Sequence, residues 1–443
     1  MDKIMENRLP ASWAWKPPMG WNSWDCFGVN VTEAEVRQNA EFMARYLKPF
    51  GWEYIVVDLG WYAPDANKDN YKHSRIPMIT DEYGRLIPDP VRFPSSSNGE
   101  GFKPLADYVH QLGLKFGIHI MRGIPWIAAE RNLPILGSSQ GAKEVSNPAD
   151  MCKWFNSMYG INMTLPGGQA YYNSLTELYA SWGVDFIKAD DMGSWDGEGN
   201  LTPYRTDEVE GLSKAIALSG RQMVLSISPG AAYIGHAEHL RKHAHLWRIS
   251  SDFWDDWEAL KRQFSRCAAW ASRVTPGHWP DADMLPFGKI GIRGEVGEPR
   301  QTNFNEQELV TLMTLWCMFR SPLMFGGHLP ESDPIALQLI TNPEVLAVNQ
   351  YSQNNAELAN SEDLVIWGAA QEKDRGKYLA AFNLGDTEKT DVNLSFSLVN
   401  LAGACLVRDL WLREDMGVYS DHFSARIPAH GARLWLITPN VVQ

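Results

Sequence analysis

The chain has 443 residues, 44% of them hydrophobic and 21% charged, a balance that fits a soluble globular protein with a large core. Its 40 basic and 53 acidic side chains give a formal net charge of −13, which argues against a nucleic-acid partner because binding a polyanion needs a Lys/Arg footprint. No apolar stretch reaches the roughly 18 residues that would cross a membrane, and the opening MDKIMENRLPASW lacks the apolar segment of a secretory signal, so a cytoplasmic protein is expected unless a signal peptide was removed.

Short apolar runs recur along the first 350 residues, each followed by a polar or Gly/Pro break and a helical pattern. In chain order the predicted strands are Met19–Trp24, Tyr54–Trp61, Phe116–Met121, Phe186–Asp191, Met223–Pro229, His245–Asp252, His278–Met284 and Leu323–Leu329. Helical periodicity lies between them at Thr32–Leu47, Leu105–Leu112, Tyr171–Trp182 and Glu306–Arg320. Eight strand–helix units predict an α/β fold, a (β/α)8 TIM barrel over residues 1–350. An open doubly wound sheet is the alternative, but the Gly-rich phosphate loop that often marks one is absent. The stretch from Gly123 to Gln169 is long for a connection and carries Trp126, Trp154 and Phe155. It is expected to form a lid or a wall of the site.

Past residue 350 the texture changes. Leu364–Trp367, Tyr378–Asn383, Val392–Phe396, Ala404–Asp409 and Arg433–Ile437 are β-rich runs with little helix between them. They predict a small C-terminal antiparallel β-sandwich over 351–443, with the boundary in the polar stretch Asn349–Asn355. The five cysteines, Cys26, Cys152, Cys267, Cys317 and Cys405, show neither CxxC nor Cys/His spacing. Reduced thiols are therefore expected, with no metal site and no cofactor. Nineteen tryptophans serve core packing in most positions, but aromatic faces also stack on sugar rings.

In a barrel, the C-terminal ends of the strands converge on one pocket. Here those ends carry Asp58, Lys188 with Asp190, Ser226 with Ser228, Arg248 with Asp252, and Asp281 with Asp283. Residues two apart on a strand face the same way, so Lys188 and Asp190 should share a face, as should Arg248, Ser250 and Asp252, while Asp191 points away as a turn residue. A lysine beside Asp190 would keep it ionised, as a nucleophile must be. Phe253 and Trp254 beside Asp252 would desolvate it in part, which suits a proton donor. Two carboxylates in such unlike surroundings describe glycoside hydrolysis. A carboxylate-bound metal is the competing reading, and Lys188 and Arg248 make it less attractive.

The same segments resemble the melibiases, glycoside hydrolase family 27, which include α-galactosidases and α-N-acetylgalactosaminidases. PPMGWNSWDCFG (17–28) is similar to that family's first strand, FIKADDM (186–192) to its nucleophile strand, and LWRISSD (246–252) to its acid/base strand. GHWPDADML (277–285), SPLMFGGHL and ITNPEVLAVNQ continue the likeness to residue 350. The resemblance implies a retaining, exo-acting α-galactosidase with Asp190 as nucleophile and Asp252 as acid/base. By the same likeness Trp24 would be a platform beside the sugar, and Asp58, Lys188, Arg248 and Asp283 would bind its hydroxyls. The implied partner is an α-galactoside, small or oligosaccharidic.

Three departures bear on the sugar. Where the family's second strand commonly ends Asp-Asp-Cys-Trp, this chain has Asp58-Leu59-Gly60-Trp61, one hydroxyl-binding carboxylate fewer. His119 stands where Tyr is common. Ser228 and Ala231 match the α-N-acetylgalactosaminidases rather than the Glu and Leu of lysosomal-type galactosidases, although Pro229-Gly230 between them differs from both. An α-N-acetylgalactosaminidase and a β-L-arabinopyranosidase, whose sugar is galactose without C6, are therefore alternatives. Outside enzymes, the alternative is a sugar-binding relative that has lost catalysis.

Overall fold

The computed structural model describes residues 9–72, 74–192, 203–228, 230–361, 363–372 and 375–440. Eight parallel strands form the first sheet: β1 (Met19–Asn22), β2 (Tyr54–Val57), β3 (Lys115–Met121), β4 (Phe186–Asp190), β5 (Val224–Ile227), β6 (Leu246–Arg248), β7 (Trp279–Asp281) and β8 (Leu323–Phe325). They are ordered β7-β6-β5-β4-β3-β2-β1-β8. The barrel closes at one parallel bridge: Leu285, just past β7, donates its N–H to Met324 and accepts from Gly326, at 2.8 and 2.9 Å. The strands are mostly apolar and nearly all buried, as a parallel sheet covered on its outside requires.

The helices that cover it include α1 (Glu33–Phe42), α2 (Lys103–Gln111), α3 (Pro166–Trp182), α4 (Thr206–Leu218), α5 (Ala237–His243), α6 (Trp257–Trp270), α7 (Glu306–Phe319), α8 (Pro334–Ile340) and α9 (Pro343–Tyr351). Their ends follow local chemistry. Thr32 with Glu35 and Asn305 with Glu308 build capping boxes at the starts of α1 and α7. Gly183, at φ 85°, ends α3 in the left-handed region that its missing Cβ allows.

Most of the predicted strands run past the observed ones. Residues 249–251 bend and 252 is irregular, so strand alternation stops at Arg248 and does not carry to Asp252. Ser250 in fact accepts from Gln263 of α6, at 3.1 Å. The stretch from Gly123 to Gln169 is a small folded wall. Ile124–Pro125, Ser146–Met151 and Met158–Ile161 make a three-stranded sheet around buried Val145, Cys152 and Phe155, and α3 begins at Pro166, five residues before its predicted start.

C-terminal to α9 come β9 (Ser352–Ser361), β10 (Leu364–Gln371), β11 (Lys377–Asn383), β12 (Lys389–Ser395), β13 (Ala404–Asp409), β14 (Glu414–Ser420), β15 (His422–Ile427) and β16 (Ala432–Pro439). Six form one antiparallel sheet, β9-β10-β11-β16-β13-β14, and β12 and β15 pair as a second. A core that includes Leu379, Leu394, Phe396, Phe423 and Trp435 fills the space between them. All five cysteines are buried and unpaired, and among the described residues no helix is long and apolar enough to cross a membrane.

The two parts are joined at the end of α7. Arg320 sits there with φ 62° and donates to the carbonyls of Asn349, Gln350 and Ser352 at 2.7, 3.2 and 2.5 Å, straddling the step from α9 into β9. Its guanidinium also lies over the Trp279 ring. Hydrogen bonds from a charged donor contribute about 1.5–3 kcal/mol each, but the freed carbonyls regain some partners, so Arg320→Ala should cost roughly 3 kcal/mol of unfolding free energy. A denaturant titration at neutral pH checks this; an unshifted midpoint would show that the clamp contributes nothing.

Candidate active site

A cavity of about 220 Å³ opens at the C-terminal ends of the barrel strands. Its floor carries His119 from β3, Lys188 and Asp190 from β4, and Asp58 and Leu59 just past β2. Trp24, Tyr71, Lys72, Trp154, Ser228, Gly230, Ser251, Asp252 and Glu295 complete the wall.

Asp58 is buried and crowded with donors. Lys188 Nζ (2.8 Å) and Asn22 Nδ2 (2.7 Å) reach its Oδ2, and the Leu59 N–H (2.8 Å) reaches its Oδ1. With about four lone-pair positions on a carboxylate, one on Oδ1 is left for another donor. Burial opposes the charge on Asp58, but Lys188 and His119 outweigh it and hold the carboxyl well below its ordinary value. Burial likewise opposes the Lys188 ammonium, and Asp58 more than restores it. The direct partner of Lys188 is thus Asp58, across the barrel mouth, and not its strand neighbour Asp190 as expected.

Asp190 is fixed differently. Its Oδ2 meets His119 Nε2 at 2.8 Å, and its Oδ1 accepts the Asp191 N–H at 2.6 Å. A carboxylate only accepts, so with Asp190 as carboxylate the contact requires a proton on His119 Nε2. Asp191, at φ 61°, turns its side chain away to Arg122, which also binds Glu208 and Asp150. Arg122 additionally donates its N–H to the Asp190 carbonyl, at 2.9 Å. This buried knot pins the end of β4.

Asp252 is the open member of the set. Its side chain is 48% exposed, so Phe253 and Trp254 do not desolvate it as expected. Arg248 reaches it at 3.3 Å and pairs more closely with Asp283, at 2.7 Å. Neither Arg248 nor Asp283 lines the cavity; both are buried behind Asp252. Burial pushes Asp283 up to about 6 against the pull of Arg248. Asp283 holds a left-handed backbone (φ 88°) and accepts the Phe253 N–H at 2.7 Å, tying β7 to the loop that carries Asp252.

Ser228 lines the cavity, Ser226 does not, and Ala231 is buried outside the lining. Pro229 lies outside the described residues. Sequence reasoning missed Tyr71, Lys72 and Glu295, which come from long polar connections after β2 and β7 and have no signal beyond that position. It also missed Asp25, a buried acid whose Oδ2 would stand 1.9 Å from a Cβ at Gly326. Burial, then Asp283, push Asp25 well above the ordinary carboxyl value.

The segments that build this mouth are also where the chain matches known proteins. The alpha galactosidase A family model covers residues 16–128 and 156–351, and the alpha galactosidase C-terminal beta sandwich domain covers 361–437. The chain belongs to the alpha galactosidase A family. It is thus a glycoside hydrolase of glycoside hydrolase family 27. A β-L-arabinopyranosidase from Geobacillus stearothermophilus is 46% identical, with a TM-score of 0.94 and 98% of each chain covered. A Bacillus halodurans protein named as an α-N-acetylgalactosaminidase is 44% identical, with a TM-score of 0.85 and 96% and 97% covered. The α-galactosidase of Coffea arabica is 28% identical over 96% of this chain and 94% of its own.

The Lys188–Asp58 pair sets a pH dependence. The folded-state value of Asp58 lies below the unfolded one, so its contribution is present above about pH 4 and lost as pH falls. In Lys188→Met burial is no longer offset, the folded value rises above the unfolded one, and the sign for this group reverses. The variant should lose roughly 3–5 kcal/mol at neutral pH, with the deficit shrinking in mild acid. Unfolding curves across that range test this, and a deficit that grows with acidity would refute it.

Proposed function

We propose that the protein is a retaining, exo-acting α-galactosidase-type glycosidase in which Asp190 is the nucleophile and Asp252 the acid/base. The observation that carries the reading is that both carboxylates face one small cavity in opposite states of restraint. Asp190 is immobilised by two donors, whereas Asp252 stays in contact with solvent. Asp190 attacks the anomeric carbon as the glycosidic bond breaks, and Asp252 gives its proton to the leaving oxygen, which departs as the aglycone alcohol. Asp252, now a carboxylate, takes a proton from water, whose oxygen attacks the same carbon and frees Asp190. The small size of the cavity, about 220 Å³, suits removal of one terminal sugar.

Sugar recognition rests on the Asp58–Lys188 pair, whose free lone pair and remaining ammonium protons meet ring hydroxyls, and on Trp24, Arg248 and Asp283, of which the last two act by holding the Asp252 side of the wall. His119 and Ser228 present their polar atoms to the same sugar. Leu59 favours a second substrate. It is buried in the cavity wall where the family commonly has a carboxylate, so a C6 hydroxyl finds an apolar side chain. β-L-Arabinopyranosides lack that carbon, and the 46% identical relative acts on them by name. We therefore expect α-D-galactosides to be cleaved and β-L-arabinopyranosides to be cleaved at least as well.

Two experiments test these assignments. Asp190→Asn should accumulate no glycosyl-enzyme, Asp252→Ala should recover turnover of activated aryl glycosides in azide, and proton NMR should show the α-configured galactose first. A first-formed β-anomer would end the proposal. For the sugar, kcat/KM on nitrophenyl α-D-galactopyranoside, α-N-acetylgalactosaminide and β-L-arabinopyranoside should place the N-acetyl substrate last. Leu59→Asp should raise the galactoside-to-arabinoside ratio by about tenfold or more, one charged hydrogen bond of about 1.5–3 kcal/mol. An unchanged ratio would remove Leu59 from specificity.

A further inference from the structure

On the outer face of the barrel, away from the sugar cavity, α4 and α5 bring three metal-ligating side chains together. Glu210 comes from α4, and His239 and His243 are four residues apart on α5, so both imidazoles project from one face of that helix. His239 Nε2 lies 3.1 Å and His243 Nε2 3.9 Å from the same Glu210 oxygen, Oε1. One ligand atom from each of the three residues falls within 4.8 Å of the others. Tetrahedral zinc, with bonds of about 2.0–2.2 Å, needs its donors roughly 3.3–3.5 Å apart. A shift of a side chain within its rotamer closes the remaining gap.

The surroundings orient the ligands. Tyr204 Oη meets His239 Nδ1 at 2.7 Å and is itself stacked on His236, with ring centroids 4.4 Å apart. If His239 donates Nδ1–H to that hydroxyl, its Nε2 lone pair faces the Glu210 carboxylate. Two acceptors at 3.1 Å repel unless a proton or a cation stands between them. An outer partner of this kind is what fixes the tautomer of metal-bound histidines. Beside the triad lies a groove lined in part by Met163, Asp207, Lys214 and Lys242. The two lysines oppose a cation, but Lys242 is exposed and solvated, and Asp207 and Glu210 supply the compensating charge.

We propose that Glu210, His239 and His243 form a site for a zinc-class divalent cation, with Tyr204 as the outer partner and the fourth position open to the groove. The ion cross-links α4 to α5, the helices that flank β5, and takes no part in glycoside cleavage. Two neutral imidazoles and one carboxylate favour zinc over calcium or magnesium, which prefer all-oxygen sets.

The test uses the full-length protein after chelation and dialysis, titrated calorimetrically with zinc chloride. One site per chain should saturate, and zinc should raise the thermal midpoint by a few degrees. Glu210→Gln and His239→Gln should each weaken binding by more than about tenfold and abolish the thermal shift, while Tyr204→Phe should weaken it by about tenfold, the usual cost of losing an outer partner. Magnesium should give no saturable heat. Absent stoichiometric zinc binding, or zinc binding that survives both ligand substitutions, would overturn the proposal.

Discussion

The barrel mouth depends on compensating buried charge. Lys188 and Arg248 are two cations set among Asp58, Asp190, Asp252, Asp281 and Asp283, and each is shared between strands: Lys188 joins β4 to the end of β2, and Arg248 joins β6 to the end of β7. Taking such ions from water is costly unless each is matched. The arrangement therefore fixes the relative positions of four strands as firmly as their short ladders do. Asp25, a further buried carboxyl beside them, is pushed well above its ordinary value by burial and then by Asp283, against the pull of Lys188.

That same balance decides which acids are free for chemistry. Asp58 spends nearly all of its acceptor capacity on the protein, and Asp283 spends its own on Arg248 and the Phe253 N–H. Asp190 is held by two donors, His119 and a backbone amide. Only Asp252 is loosely held and wet. Two groups of identical chemistry thus sit under different restraint because of their partners alone.

Much of this was legible from residue order. The barrel reads from apolar runs followed by helical periodicity, and the acids at strand ends mark the mouth, because parallel strands place their C-terminal ends together. Strand alternation misled where strands were shortest: β6 spans three residues, so Asp252 reaches the cavity through a bend rather than by facing the same way as Arg248. In the sandwich, β9, β14 and β15 escaped notice: the first two are the edges of the six-stranded sheet, with the loop-like sequences SQNNAELANS and EDMGVYS, and the third is the short alternating run HFSARI. The pairing of Lys188 with Asp58 rather than Asp190 lay beyond sequence, since it is a contact between strands whose stagger no local pattern encodes. Residues 129–155, which the family model does not match, fall in the folded wall that brings Trp154 to the cavity.

The closure of the barrel has a dynamic consequence. Neighbouring strands elsewhere share two to five paired residues, but β7 and β8 meet only at the Leu285–Phe325 bridge, with two backbone hydrogen bonds. Opening a seam costs least where the ladder is shortest. Amide hydrogens of Leu285 and Gly326 are therefore the ones in the barrel wall whose exchange with solvent needs the smallest excursion. Asp283 sits two residues before that seam in a strained left-handed turn, so each such excursion would loosen the brace behind Asp252 while leaving Asp190, on the far side of the ring, undisturbed.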